Sequence, residues 1–161
     1  MTAERLRIVS GGQTGVDRAA LDAALAAGAP CGGWCPGGRL AEDGPIDARY
    51  PLTEIPGAGY IERTRANVAD SDGTVILYGG PLEGGSLQTQ RFCLDLGKPC
   101  LTIARETFSE TQAAAEIAHF VANHHVRTLN VAGPRASKQP QIYAYALAVV
   151  AQLLAAERAA A

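Results

Sequence analysis

Ser10-Gly-Gly-Gln-Thr-Gly15 places three glycines beside an amide and a hydroxyl, and Arg18 follows one helical turn on. Glycines let a backbone come close to a ligand, and the free N–H groups at a helix start suit an anion. Gly11, Gly12, Gln13, Thr14, Gly15 and Arg18 are therefore candidate phosphate contacts. Glycines alone would serve a tight strand-to-helix turn equally well; the side-chain donors of Gln13, Thr14 and Arg18 favour the anion. The spacing is neither the dinucleotide G-x-G-x-x-G nor the Walker pattern, because no Lys-Ser or Lys-Thr pair follows Gly15. Asp17 reads as a partner of the helix dipole. On this reading Gly12→Asp puts an anion where the ligand's must bind.

Two further loops carry similar chemistry. Gly79-Gly-Pro-Leu-Glu-Gly-Gly-Ser86 opens another helix, with Thr89 one turn in. Ser86 either caps that helix or, with Gly84, Gly85 and Thr89, meets a phosphate. Ala132-Gly-Pro-Arg-Ala-Ser-Lys138 groups Arg135, Ser137 and Lys138, either as a solvated turn capped by Ser137 or as an anion clamp with Arg135 as bidentate donor. Tyr60, Arg63, Thr64 and Asn67 form a polar stripe at helical spacing, facing water or forming a ligand rim or subunit contact. Glu42-Asp43-Gly44 is an acidic turn or a hydrogen-bonding edge for ligand hydroxyls or amino groups. Cys31, Cys35, Cys93 and Cys100 lack zinc-site spacing and read as inert thiols. No Ser-His-Asp or Cys-His set stands at a recognisable motif.

These loops need a scaffold that brings them together. Apolar β-type runs at 6–10, 30–34, 74–78, 99–103 and 128–132 alternate with helical patterns at 16–27, 60–70, 86–96, 111–124 and 140–158. Such alternation predicts an α/β fold: one Rossmann-like, doubly wound, mainly parallel sheet with helices on both faces, in a single domain over 1–161. Its ligands collect beyond the carboxyl ends of the strands. Residues 35–59 form a long Gly- and Pro-rich excursion with a strand-like piece at 51–55. The last helix carries a broad apolar stripe, Ile142, Tyr145, Ala146, Val149, Val150, Leu153 and Leu154, which is core or an oligomer contact.

The chain has 161 residues, 19% charged and 47% hydrophobic, with a net charge of −2. That balance argues against a nucleic-acid partner, which needs clustered cations. The N-terminus has no signal-peptide pattern, and the apolar tract at 144–156 is shorter than the ~20 residues that span a bilayer. A cytoplasmic protein without membrane attachment is expected.

Taken together, Ser10-Gly-Gly-Gln-Thr-Gly-Val-Asp-Arg-Ala-Ala-Leu-Asp22, Cys35-Pro-Gly-Gly-Arg-Leu-Ala-Glu-Asp-Gly-Pro-Ile46, Tyr50-Pro-Leu, Arg63-Thr-x-x-Asn67-Val, Ser71-Asp-Gly-Thr74, Gly84-Gly-Ser-x-x-Thr89 and Leu129-Asn-Val-Ala-Gly-Pro-Arg135-x-Ser137 resemble the molybdenum carrier family. That family sits in the Rossmann-like superfamily of the lysine-decarboxylase-like LOG proteins and DNA-processing protein A. The resemblance implies a carrier or storage protein whose bound cargo is the molybdenum cofactor (molybdopterin), a pterin with a terminal phosphate, or a related nucleotide-like molecule. It places the contacts at Gly11 to Gly15, Arg18, Gly84 to Ser86, Thr89, Arg135 and Ser137. With the apolar last helix it favours a homo-oligomer, and it implies a molybdoenzyme or cofactor-biosynthesis protein as partner. The LOG phosphoribohydrolases carry Pro-Gly-Gly-x-Gly-Thr-x-x-Glu; here Glu83-Gly-Gly-Ser-Leu-Gln-Thr-Gln-Arg91 lacks the second Gly-Thr pair and the Glu, so binding is favoured over turnover. The alternatives are a nucleotide-processing enzyme using Asp17, Glu42, Asp43 or Asp72 as acid or base, and a nucleotide-ligand sensor.

Overall fold

Five β-rich runs in residues 5–160, the part that the computed structural model describes, pair into one parallel sheet. Its strands are β1 (Arg7–Val9), β2 (Cys31–Gly32), β7 (Gly73–Tyr78), β8 (Cys100–Ala104) and β9 (Thr128–Ala132), in the order β2-β1-β9-β7-β8. The last strand thus lies between two earlier ones, with Asn130 paired to Val9 on one side and Thr74 on the other. Renumbering β7, β8, β9, β1 and β2 as one to five turns this order into 2-1-3-4-5, that of an open doubly wound sheet entered at a different point of the chain.

Parallel neighbours need crossovers, and helices supply them. Helices α1 (Val16–Ala26), α4 (Glu110–Asn123) and α5 (Ile142–Ala160) pack together over one face, against Val75, Leu77, Leu129 and Val131. Alternation along β7 turns Thr74, Ile76 and Tyr78 the other way, where α2 (Tyr60–Ala69) and α3 (Gly84–Leu96) pack against each other. The chain therefore leaves β7 on one face and β9 on the other. A crevice must open between their carboxyl ends, where the sheet reverses its winding.

All seven residues of the α5 stripe are buried within the chain, so the stripe is core. At 19 residues the helix is longer than the apolar tract and is apolar enough to cross a membrane, but that stripe is packed on α1 and α4. The strand expected at 30–34 is broken. Gly33, at φ 132, has no room for a side chain because a Cβ would overlap the Ser10 carbonyl. The chain turns there from β2 into β3 (Trp34–Pro36), which pairs with β6 (Thr53–Ile55) in a separate two-stranded sheet.

The excursion between them is tied down. A 3-10 turn (Gly37–Arg39) leads into a hairpin of β4 (Leu40–Ala41) and β5 (Gly44–Pro45). The Arg39 guanidinium donates to the carbonyls of Ile46, Asp47, Tyr50 and Leu52 at 2.9, 2.7, 2.9 and 3.3 Å. Cys35, Ala41, Ile46 and Tyr50 close over Leu21 of α1 as a second apolar cluster. Helix α3 starts at Gly84, two residues earlier than the apolar pattern indicates, so Ser86 lies inside the first turn rather than capping it. Cys93 and Cys100 are free thiols that meet side by side, and the hydrogen bond from the Cys100 thiol lowers Cys93 below the ordinary thiol range.

Candidate functional site

The crevice between the ends of β7 and β9 is a cavity of about 630 Å³. Loop 11–17, α2, the start of α3 and the loop after β9 form its walls. Of the twelve residues expected to contact a ligand, Gly11, Gln13, Gly84, Gly85, Ser86, Thr89 and Arg135 line it. Gly12, Thr14, Gly15, Arg18 and Ser137 do not, and each has other partners.

The glycines of the first loop are used by the chain's own packing. A Cβ on Gly11 would lie 2.5 Å from Arg63 Cδ, and one on Gly12 would overlap Leu52 Cδ1 and come 3.0 Å from Ile46 Cδ1. One on Gly15 would overlap the Pro134 carbonyl and come 2.9 Å from Ala136 N. Gly12→Asp therefore strikes the core as well as any ligand, which makes it a poor test of binding. The loop's amides are also occupied: Gln13 N–H donates to Asp17 Oδ2 at 3.4 Å, and Gly11 N–H reaches the same carboxylate. Arg18 holds the loop from the other side, donating to Gly12 O at 3.0 and 3.1 Å and to both Asp43 oxygens at 2.8 and 3.1 Å.

Asp17 is thus more than a dipole partner. Its side chain is 5% exposed and pairs with Arg63 Nη1 at 3.2 Å, joining α1 to α2 beneath the cavity. Burial pushes its carboxyl up to about 6 against the pull of Arg63 and the Gln13 and Gly11 amides. A carboxyl whose pKa rises on folding stabilises the fold below its unfolded value and loses that contribution as pH climbs through about 6. Acidification from pH 7 to pH 5 should therefore add about 1 kcal/mol to wild type relative to Asp17→Asn. Urea unfolding of both proteins across that window measures the difference; parallel pH profiles would show that Asp17 is not perturbed.

Arg63 contributes a second feature. Among the described residues its Nε is the buried side-chain polar atom without a hydrogen-bond partner. Leaving such a donor unpaired costs ~1–3 kcal/mol. Tyr60, Thr64 and Asn67 join Arg63 in the cavity wall, so the polar stripe of α2 faces the crevice rather than bulk water alone. Asn67 also holds β3, accepting from Trp34 N at 2.8 Å and donating to Trp34 O at 3.0 Å.

The start of α3 is the opposite of the first loop. A Cβ on Gly84 or Gly85 would have no heavy atom within 4 Å, and Gly84 takes φ 55. The Glu83 side chain makes no capping bond. The first amides of a thirteen-residue helix therefore open on the cavity, with the dipole's positive end behind them. Thr89 braces this turn by donating to Gly85 O at 2.9 Å. Lys138 and the half-exposed Arg135 bring positive charge to the rim.

Tyr78, Asn130 and Gln139 also line the cavity and were not expected. Asn130 carried a legible signal, since it is an amide within an otherwise apolar strand paired on both sides. Glu42 is the other surprise. Thr14 Oγ1, Ser137 N, Ser137 Oγ and Arg135 Nε all point to its carboxylate, the latter three at 3.1, 2.6 and 3.5 Å. Those bonds, first Ser137 Oγ and then Thr14 Oγ1, hold its carboxyl below the usual range.

The model of the circularly permutated YpsA SLOG family matches residues 8–154. A crystal structure from Syntrophus aciditrophicus SB, named "Putative molybdenum carrier protein", is 46% identical to this chain, covers 94% of it and 96% of its own length, and superposes with a TM-score of 0.91. No curated protein matches the sequence.

Proposed function

The chain belongs to the circularly permutated YpsA SLOG family, and from that premise we propose that it carries a phosphate-bearing, nucleotide-like molecule in the cavity between β7 and β9. The observation that carries this reading is the start of α3, where two glycines with no Cβ neighbours present unshared amides to the cavity. That geometry suits a phosphate, and Arg135 and Lys138 balance its charge. The α2 wall, with Tyr60, Thr64 and Asn67 beside Arg63, then meets the ring system.

The molybdenum cofactor is the cargo we favour, because its pterin and terminal phosphate fit these two walls and because the Syntrophus relative bears a carrier's name. Loop residues Gly12, Thr14, Gly15, Arg18 and Ser137 then shape the site from behind. We place the carrier in the cytoplasm, delivering to a molybdoenzyme or cofactor-biosynthesis protein. Purified protein should release pterin fluorescence and molybdenum on denaturation, and added cofactor should raise its melting temperature. Absence of both overturns the carrier reading.

A second reading has its own observation. Asp17 is a buried carboxyl at the cavity, pushed up to about 6, and so suited to exchanging a proton near neutral pH. Incubation with a panel of nucleoside monophosphates should then yield a product that Asp17→Asn fails to make. Unchanged substrates refute it.

A further inference from the structure

Glu42 sits with Asp43 at the tip of the β4–β5 hairpin, where the pairing of Ala41 with Gly44 leaves a two-residue turn. Asp43 is bound by Arg18, and Glu42 reaches across to the loop after β9. The donors that receive its carboxylate come from two segments far apart in sequence: one hydroxyl from Thr14, and a hydroxyl, an amide and a guanidinium from Ser137 and Arg135. Two hydroxyls, an amide and a cation converging on one pair of oxygens make an oxyanion receptor.

The frame of this receptor does not depend on Glu42. Ala136 N–H donates to Thr14 Oγ1 at 3.1 Å, Val16 N–H donates to Pro134 O at 3.3 Å, and Gly15 lies against the Pro134–Ala136 backbone. Its weakest bond is the one to Arg135, whose side chain is 42% exposed and also lines the cavity. Arg135 therefore stands between two anion-suited places, the start of α3 and the receptor around Glu42.

We propose that the donors around Glu42 form a second anion subsite, that Glu42 is its tethered resident, and that the ligand displaces Glu42 with a second acidic group. The ligand class is then a nucleotide-like diphosphate, which selects the nucleotide-like cargo over the molybdenum cofactor with its single terminal phosphate; one phosphate lies at the start of α3 and the other beyond Arg135. This deepens the reading above and rests on ligand binding in the cavity.

The test compares wild type, Glu42→Ala and Glu42→Gln by titration with AMP and ADP, and by melting with inorganic phosphate and pyrophosphate. Removing a tethered competitor should tighten ADP by about tenfold in Glu42→Ala and leave AMP within about twofold. Pyrophosphate should raise the melting temperature of Glu42→Ala more than that of wild type. Glu42→Gln, which keeps an acceptor oxygen without the charge, should fall between. Nucleotide binding with the same ADP-to-AMP ratio in all three proteins removes the subsite and leaves the cavity reading in place. Weaker ADP binding in Glu42→Ala also overturns the subsite, because Glu42 would then be bracing the loop. Pyrophosphate stabilisation confined to Glu42→Ala, without nucleotide binding, keeps the subsite and overturns the nucleotide reading. No response to any probe overturns the subsite and the nucleotide reading together.

Discussion

Gly85→Asp should leave the protein folded and weaken its phosphate-bearing ligand on the order of 100-fold, because like charges brought together cost several kcal/mol. The position is unusual in allowing a clean separation of fold from binding. A Cβ there has no heavy atom within 4 Å, and the residue is exposed in the first turn of α3. A carboxylate in a first helical turn is itself favourable by ~0.3–1 kcal/mol, so the melting temperature should hold or rise. Gly84 does not serve, since φ 55 penalises any side chain. Gly85→Ser, with a neutral donor at the same place, should retain most of the affinity. Calorimetric titration and melting of one preparation decide the matter; a folded Gly85→Asp protein with wild-type affinity removes the α3 terminus from the site.

The contrast between the two glycine loops shows where the sequence was legible. Both read as anion cradles, and locally they are alike. The difference comes from contacts across the chain: position 11 meets Arg63, position 12 meets Leu52 and position 15 meets Pro134, while 84 and 85 meet nothing. Periodicity carries no record of such distances. It did carry the elements, because β7 is an apolar run, β9 is an apolar run interrupted at Asn130, and the last helix bears a full apolar stripe.

Strand order was not legible. Alternation of strands and helices implies parallel pairing but does not say that β9 returns between β1 and β7. The stripe Tyr60, Arg63, Thr64 and Asn67 was visible as a spacing, and only the packing of α2 on α3 shows that it faces a crevice. Glu42 lies 95 residues from Ser137, so nothing local could join them.

The same packing makes Gly15 a glycine whose loss should harm the fold severely. Its φ 82 and ψ −129 lie where residues other than glycine pay ~1–3 kcal/mol. A methyl group would also press on the Pro134 carbonyl and Ala136 N, both backbone, so no rotamer change relieves it. Moving that segment away would break the Val16–Pro134 and Thr14–Ala136 hydrogen bonds and carry Arg135 out of the rim. Gly15→Ala should therefore cost about 3–5 kcal/mol, a large share of the ~5–15 kcal/mol typical of a domain. Gly28→Ala is the natural control, because φ 65 beyond the end of α1 strains the backbone but a Cβ there meets nothing within 4 Å. It should cost about 1 kcal/mol. Urea unfolding of the two variants side by side measures the gap. If Gly15→Ala is no worse than Gly28→Ala, the first loop is not held by its contact with the loop after β9, and close approach of a ligand becomes the better reason for its glycines.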